Sequence, residues 1–483
     1  MAIDPGLRRL ALRTLLAAFA GPTAPDWATR LLADGLAGHT LFGTNIAEPA
    51  QVGLLTATLR AVRRDVLIAI DEEGGDVTRL AHRTGSPYPG NAALGAIDDP
   101  DLTRTVYAAI GADLVTAGIN LDLAPTVDVN TATDNPVIGT RSFGAEPLRV
   151  SRHAAAAIEG LQSTGIAACA KHFPGHGATL TDSHLELPTV AATPALLRER
   201  DLPPFAAAIA AGTQAIMSAH IRVPALTGAG PATFSRAALT DLLRGEYDFR
   251  GTVITDALEM KGATLAAGGI GEAAVLALAA GADLLCIGAR VSLDLVELVA
   301  AEIVAGVGDG RLTRSRLEEA AERTAALAAW TQRPVTPVRH DAALGYAAAR
   351  RAVRVEGSLA EVTGPLVIQL ESGHSIAEGR VPWGLKPHLN GTEQVSVVAA
   401  DASAEALAER AGSRPIVVVG RHTHRAEANR ALIEALAARH TVAVVEMGWP
   451  ASWRPAGARA FVTTYGASHA NGRAAAEALG LCS

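Results

Sequence analysis

The sequence predicts an α/β protein: a (β/α)8 barrel of the TIM type, followed by a smaller α/β sandwich domain with a mainly parallel sheet. Two observations predict it. Eight short apolar runs in the first two-thirds of the chain are each followed by room for a helix, and that alternation belongs to parallel sheets. A Pro-bearing break then separates this set from a second, shorter one of the same kind.

The strand-like runs are Thr14–Phe19, His39–Phe42, Val66–Ile70, Asn120–Ala124, Ala167–Lys171, Ala215–Ser218, Thr252–Thr255 and Asp283–Ile287. Between them lie Ala/Leu/Arg-rich stretches of helical period. The unequal spacing implies long loops after some strands. An open doubly wound sheet is the other arrangement this alternation allows. A helix over Leu312–Trp330 closes the set, and Thr331–His340 carries Pro334 and Pro337. The second set is Leu366–Leu370, Val395–Ala399, Pro415–Val419, Val442–Glu446 and Ala460–Thr464, with helical stretches such as Ala426–His440 between. The expected division is a barrel over 1–330, a linker over 331–345 and the sandwich domain over 346–483.

Composition narrows the class. The net charge of −7 argues against a nucleic-acid binder, whose footprint is a basic patch or stripe. Hydrophobic residues at 49% permit a large core and exclude global disorder. Cys169, Cys286 and Cys482 are few, scattered and odd in number, so no disulfide framework is expected. Arg8–Ala20 imitates a leader, but Arg13 interrupts its apolar run and no small-x-small cleavage site follows. No run reaches the roughly 18 apolar residues of a membrane span. A cytoplasmic protein is the expectation.

Polar clusters gather where barrel chemistry sits, at the C-terminal ends of the strands. The third run leads into Asp71-Glu72-Glu73-Gly74-Gly75 with Arg79 beyond, and the fourth ends near Asp128 before a loop containing Arg141. The fifth gives Lys171-His172-Phe173-Pro174-Gly175-His176-Gly177 and then Asp182-Ser183-His184. The sixth ends at His220 and the seventh at Asp256. Each has a bland reading: Asp71 and Asp256 as helix caps, Arg79 and Arg141 as surface charges, His220 as a structural histidine. Lys171 is more pointed, because the chain has only two other lysines, Lys261 and Lys386. Asp256 is placed to be an ionised nucleophile. In an extended segment Asp182 and His184 face the same side, so the carboxylate would orient the imidazole and stabilise its protonated form for general acid work. Asp71, Arg79, Arg141, Lys171 and His172 offer the many hydrogen bonds that a polyhydroxylated ligand requires.

The segments Asp71–Leu80 (DEEGGDVTRL), Asn135–Phe143 (NPVIGTRSF), Lys171–His184 (KHFPGHGATLTDSH) and Ile254–Met260 (ITDALEM) closely resemble glycoside hydrolase family 3, in its β-N-acetylglucosaminidase branch. The resemblance covers the barrel and extends more weakly over the C-terminal domain. It implies that Asp256 is the nucleophile and His184 the acid/base, assisted by Asp182 on a mobile loop. It places Asp71, Arg79, Arg141, Lys171 and His172 around the sugar. The sequence departs at Glu72, where the family often has Gln, and at Thr227, where an acidic residue is common. Neither touches an implied catalytic role.

The resemblance further implies a retaining double displacement without cofactor or metal. The substrate would be a small carbohydrate carrying terminal β-linked N-acetylglucosamine. Aromatics are only 4% of the chain, and Trp330, Trp383, Trp449 and Trp453 lie at or beyond the linker. A barrel poor in stacking platforms suits a short pocket and exo action. Muropeptide fragments, as in cell-wall recycling, or chitooligosaccharides are the sources the resemblance suggests. A phosphorylase using inorganic phosphate in place of water stays open at this stage. More distant alternatives are a metal-dependent hydrolase on His172, His176, Asp182 and His184 and a non-catalytic sugar-binding protein. The pair His422-Thr423-His424 is expected to be a solvated surface loop. Oligomeric state is not legible.

Overall fold

The structure is a computed structural model describing residues 4–335 and 341–482. The core of the expected linker, residues 336–340, lies outside the described residues. By their contacts the residues divide into two compact units. The first comprises 1–72, 103–137 and 145–340, and the second 73–102, 138–144 and 341–483.

The first unit holds eight parallel strands: β1 (Leu15–Ala17), β2 (Gly38–Leu41), β3 (Leu67–Ile70), β4 (Leu121–Asp122), β5 (Ala167–Phe173), β6 (Ala215–Ser218), β7 (Thr252–Thr255) and β8 (Leu285–Cys286). They run in the order β7-β6-β5-β4-β3-β2-β1-β8, and a bridge between Ile254 and Leu284 joins the two ends into a barrel. The expected TIM-type barrel is therefore present, and the open sheet is not. Several strands are shorter than the apolar runs, because only part of each run joins the ladder. The leader-like Arg8–Ala20 is barrel: helix Pro5–Leu12, capped by Asp4 Oδ1 on the N–H groups of Gly6 and Leu7, runs into β1.

One core cluster takes alternate residues from the strands, among them Leu16, Leu67, Ala69, Leu121, Ala167, Cys169, Ala215, Met217, Ile254 and Cys286. The two-residue period of a strand carries that inward row onward to Asp71 after Ala69, Lys171 after Cys169 and Asp256 after Ile254. The same alternation thus packs the barrel and aims the polar residues of its rim. Truncating a buried member such as Leu67 to Ala would cost about 2–5 kcal/mol. At the foot of β8, the wholly buried Asp283 accepts the Val253 N–H at 2.9 Å and pairs with Arg244 and Arg316.

The second unit holds a six-stranded sheet in the order β11-β10-β12-β13-β14-β9. Its strands are β9 (Arg354–Gly357), β10 (Leu366–Leu370), β11 (Gln394–Val397), β12 (Ile416–Gly420), β13 (Val442–Glu446) and β14 (Ala460–Thr463). Only β9 is antiparallel, on β14. Odd-numbered residues such as Val367, Val417 and Val445 pack in one cluster, and even-numbered ones such as Ile368, Val418 and Val444 in another. Apolar side chains on both faces make this the expected sandwich. β9 was not legible, since all four of its residues are exposed and it carries no apolar alternation. Within this unit Gly75 and Gly90, at φ +63° and +84°, pass so closely that a Cβ on Gly75 would lie 2.6 Å from the Gly90 Cα.

Candidate active site

In the first unit the polar residues of the candidate site stand at or just beyond the ends of β3, β4, β5 and β7. Lys171 Nζ donates to Asp71 Oδ1 at 2.8 Å, with Lys171 almost fully buried. Neither Asp71 nor Asp256 is the N-cap of the helix after its strand; Gly90 and Met260 hold those positions. The capping reading of both is thereby excluded. Beneath Lys171, Asp122 is wholly buried and accepts the Glu72 N–H at 3.0 Å. Burial pushes its carboxyl well above the usual range, with the Glu72 and Asp71 carboxylates adding to the effect.

The chain leaves β5 through two cis peptides, Lys171–His172 and Phe173–Pro174. Asp128, wholly buried, collects this turn. Its Oδ2 lies 2.7 Å from His172 Nδ1, and its Oδ1 accepts the backbone N–H groups of His172 and His176 at 3.2 and 2.6 Å. Burial alone would raise Asp128, but His172 and His176 together hold it below the ordinary value. The sequence marks Asp128 as a strand-end residue; its part in orienting His172 emerges only in three dimensions. His220 is buried, and its Nε2–H donates to the Ala257 carbonyl at 3.1 Å.

Asp256 stands at the end of β7, with its Oδ1 accepting the Ala257 N–H at 2.8 Å. The surrounding protein would raise its carboxyl, but His220, His172 and His184 with that N–H bring it down to about 2. It is therefore a carboxylate throughout the physiological range. On the loop after β5, His184 Nδ1 lies 2.7 Å from Asp182 Oδ1, which also accepts the His184 backbone N–H at 2.9 Å. The segment is not extended, as the sequence argument assumes. It is a turn, with the N–H groups of Leu185 and Glu186 on the Asp182 carbonyl. The pair meets because the Asp182 side chain caps its own turn. Burial opposes ionisation of Asp182, yet the bonds from His184 leave it below the usual range. With Nδ1–H committed to Asp182, Nε2 is the ring atom left to exchange a proton.

Arg141 and Arg79 belong to the second unit. Neither is a loose surface charge. Arg141 is buried and forms a two-pronged pair with Glu73, Nε to Oε2 at 2.9 Å and Nη2 to Oε1 at 2.7 Å. Arg79 donates to the carbonyls of Ala377 and Glu378. The His-x-His pair is not the solvated loop expected of it. His422 sits at φ 53°, and the N–H groups of His422 and Thr423 are held by Glu446 at 2.7 and 2.8 Å. Among the described residues, no group of three or more His, Cys, Asp or Glu is placed to hold a metal ion.

A carboxylate kept anionic at a strand end and an imidazole–carboxylate pair on a loop of the same eight-stranded barrel are the parts of acid/base-assisted nucleophilic catalysis. The family model "Glycosyl hydrolase family 3 N terminal domain" matches residues 18–327, and the chain belongs to glycosyl hydrolase family 3. It is similar to a β-hexosaminidase of Pseudomonas aeruginosa, 39% identical over 254 residues that make up 51% of this chain and 73% of that one. It is also similar to β-hexosaminidase A of Pseudoalteromonas piscicida, 38% identical over 248 residues; that match spans only 42% of the relative's length. A solved glycoside hydrolase family 3 β-N-acetylglucosaminidase from Paenibacillus superposes with a TM-score of 0.87 at 32% identity, over 100% of this chain and 98% of that one.

Proposed function

We propose that this protein is a retaining exo-β-N-acetylglucosaminidase that releases terminal N-acetylglucosamine from small glycosides, muropeptide fragments or chitooligosaccharides, in the cytoplasm. The observation that carries the reading is an anionic carboxylate and an imidazole–carboxylate pair carried by the same barrel. Asp256 is held as an anion, while His184 is tied through Nδ1 to Asp182 with Nε2 left to carry the proton. Kinship with β-hexosaminidases supports the sugar.

In the first step Asp256 attacks the anomeric carbon as His184 Nε2–H protonates the departing glycosidic oxygen, giving a covalent glycosyl-enzyme. Asp182 offsets the positive charge that His184 carries as an acid. In the second step the neutral imidazole takes a proton from water, the water oxygen bonds to the anomeric carbon, and Asp256 leaves as carboxylate. Asp71, Lys171 and His172 take the sugar's hydroxyls. The scarcity of aromatics in the barrel suits a single terminal sugar. Muropeptide-type substrates would give the enzyme a place in cell-wall recycling.

The test uses an aryl β-N-acetylglucosaminide with and without inorganic phosphate, identifying the sugar product. Free N-acetylglucosamine at a rate indifferent to phosphate supports the hydrolase. A phosphate-dependent sugar 1-phosphate replaces it with a phosphorylase using the same residues. No release of aryl alcohol under either condition contradicts the substrate.

A further inference from the structure

Ser183 separates the two members of the acid/base pair and contributes to neither. In a loop whose Leu180 and Leu185 are largely exposed, it is 1% exposed. Its Oγ lies 3.0 Å from His176 Nε2, and its carbonyl oxygen accepts the Gly262 N–H at 3.2 Å. His176 belongs to the turn that leaves β5. Gly262 stands in the first turn of helix Lys261–Ala267, which follows β7 and Asp256. One residue thus fastens the loop to the elements that carry the rest of the site.

Proton accounting at His176 fixes the direction of the first bond. The Thr179 hydroxyl donates its single proton to the His176 carbonyl at 3.0 Å, so it can only accept from His176 Nδ1 at 2.7 Å. A neutral imidazole with its proton on Nδ1 presents a lone pair at Nε2, and the Ser183 hydroxyl donates to it. Burial pushes His176 down to about 4, so the ring is neutral at physiological pH. The second bond depends on glycine. A Cβ on Gly262 would stand 3.0 Å from the Ser183 carbonyl oxygen, 3.1 Å from that of Glu186 and 3.2 Å from the His220 Cβ.

We propose that Ser183 is the clasp that positions the Asp182–His184 pair. Its hydroxyl holds the loop to His176 and its carbonyl holds it to Gly262, so that losing the clasp loosens the general acid without touching Asp256. Ser183 is a positioning residue, and the proposal rests on the reading of His184 as acid/base.

The test compares kcat/KM for two β-N-acetylglucosaminides, one with a dinitrophenyl leaving group that departs without a proton and one with a phenyl group that needs it. His184→Ala is the reference and establishes the signature of a missing acid: a severe loss on the phenyl glycoside and little on the dinitrophenyl one. Ser183→Ala is expected to show the same signature in milder form, a loss of about 10-fold on the phenyl substrate alone, the scale of one hydrogen bond. Ser183→Thr, which keeps the hydroxyl, is expected to restore most of it. Gly262→Ala strains the other half of the clasp and is expected to give the same leaving-group dependence, so the test survives a poorly folding Ser183→Ala. Equal losses on both substrates, or no loss on either, while His184→Ala keeps its signature, overturn the clasp alone. A His184→Ala variant without leaving-group dependence overturns the acid/base reading and the clasp with it.

Discussion

Asp128 Oδ2 lies 2.7 Å from His172 Nδ1, so the tautomer of His172 is set from below by a wholly buried carboxylate. The proton on that side of the ring resides on Nδ1. The same carboxylate draws in the backbone N–H groups of His172 and His176, so one side chain fixes both the ring and the turn that carries it.

Replacing Asp128 by Asn keeps the shape but removes the charge that strengthens all three bonds. Hydrogen bonds to a charged group are worth about 1.5–3 kcal/mol, so kcat/KM is expected to fall on the order of 10²-fold. Steady-state kinetics on an aryl glycoside check this; a change under threefold would remove Asp128 from the account of the site.

Asp256 is held at about 2, so it is ionised at every pH at which the protein is assayed, and it sets no acid limb there. The limbs of the kcat/KM profile then belong to groups other than Asp256. With a dinitrophenyl glycoside, whose leaving group needs no acid, the His184→Ala variant is expected to give a flat profile from pH 5 to 8. A limb near pH 5–6 surviving in that variant would contradict the ordering.

His39 in β2 and His176 are both buried, and desolvation pushes each down to about 4. Their folded values lie below the unfolded one of about 6.5. The unfolded chain therefore takes up protons first as pH falls, and stability present above pH 6.5 is lost as pH falls through 4. The loss is about 3 kcal/mol for each histidine between pH 7 and 4. Urea unfolding at pH 7, 5 and 4 checks the slope, and His39→Gln is expected to flatten it.

The Arg141–Glu73 pair, with both side chains under 5% exposed, carries a structural demand of its own. Removing only the cation leaves a buried carboxylate, so Arg141→Ala is expected to destabilise by about 3–5 kcal/mol. Adding Glu73→Gln should recover part of that loss. Denaturant unfolding of the two single variants and the double variant measures the coupling.

Both folds were legible because each depends on alternation that survives in one dimension. Leu67-Ile68-Ala69-Ile70 and Val417-Val418-Val419 declare strands whichever way they face. The antiparallel β9 was not legible, because an exposed edge strand needs no apolar residues. At the site, Asp256, His184, Asp182, Asp71 and Lys171 could be named from strand ends and from the resemblance. Asp128 and Asp122 could not be given roles, since their partners His172 and Glu72 lie 44 and 50 residues away, and Ser183 could not, since its carbonyl meets Gly262 on a helix after a different strand. The turn at Asp182 was misread because an Asp that bonds its own backbone two residues on leaves no period in the sequence. The expectation for His422–His424 failed for a related reason, since the Glu446 that holds the loop lies on a different strand.

The claim on which the rest depends is that Asp256 forms the covalent bond to sugar. Incubation with a 5-fluorinated N-acetylglucosaminyl fluoride, which forms the glycosyl-enzyme quickly and releases it slowly, followed by peptide mass spectrometry, measures it directly. The account predicts one label per chain, on the peptide containing Asp256, and no label in an Asp256→Ala variant. A label on another residue, or turnover of an aryl glycoside with no label at all, would contradict it.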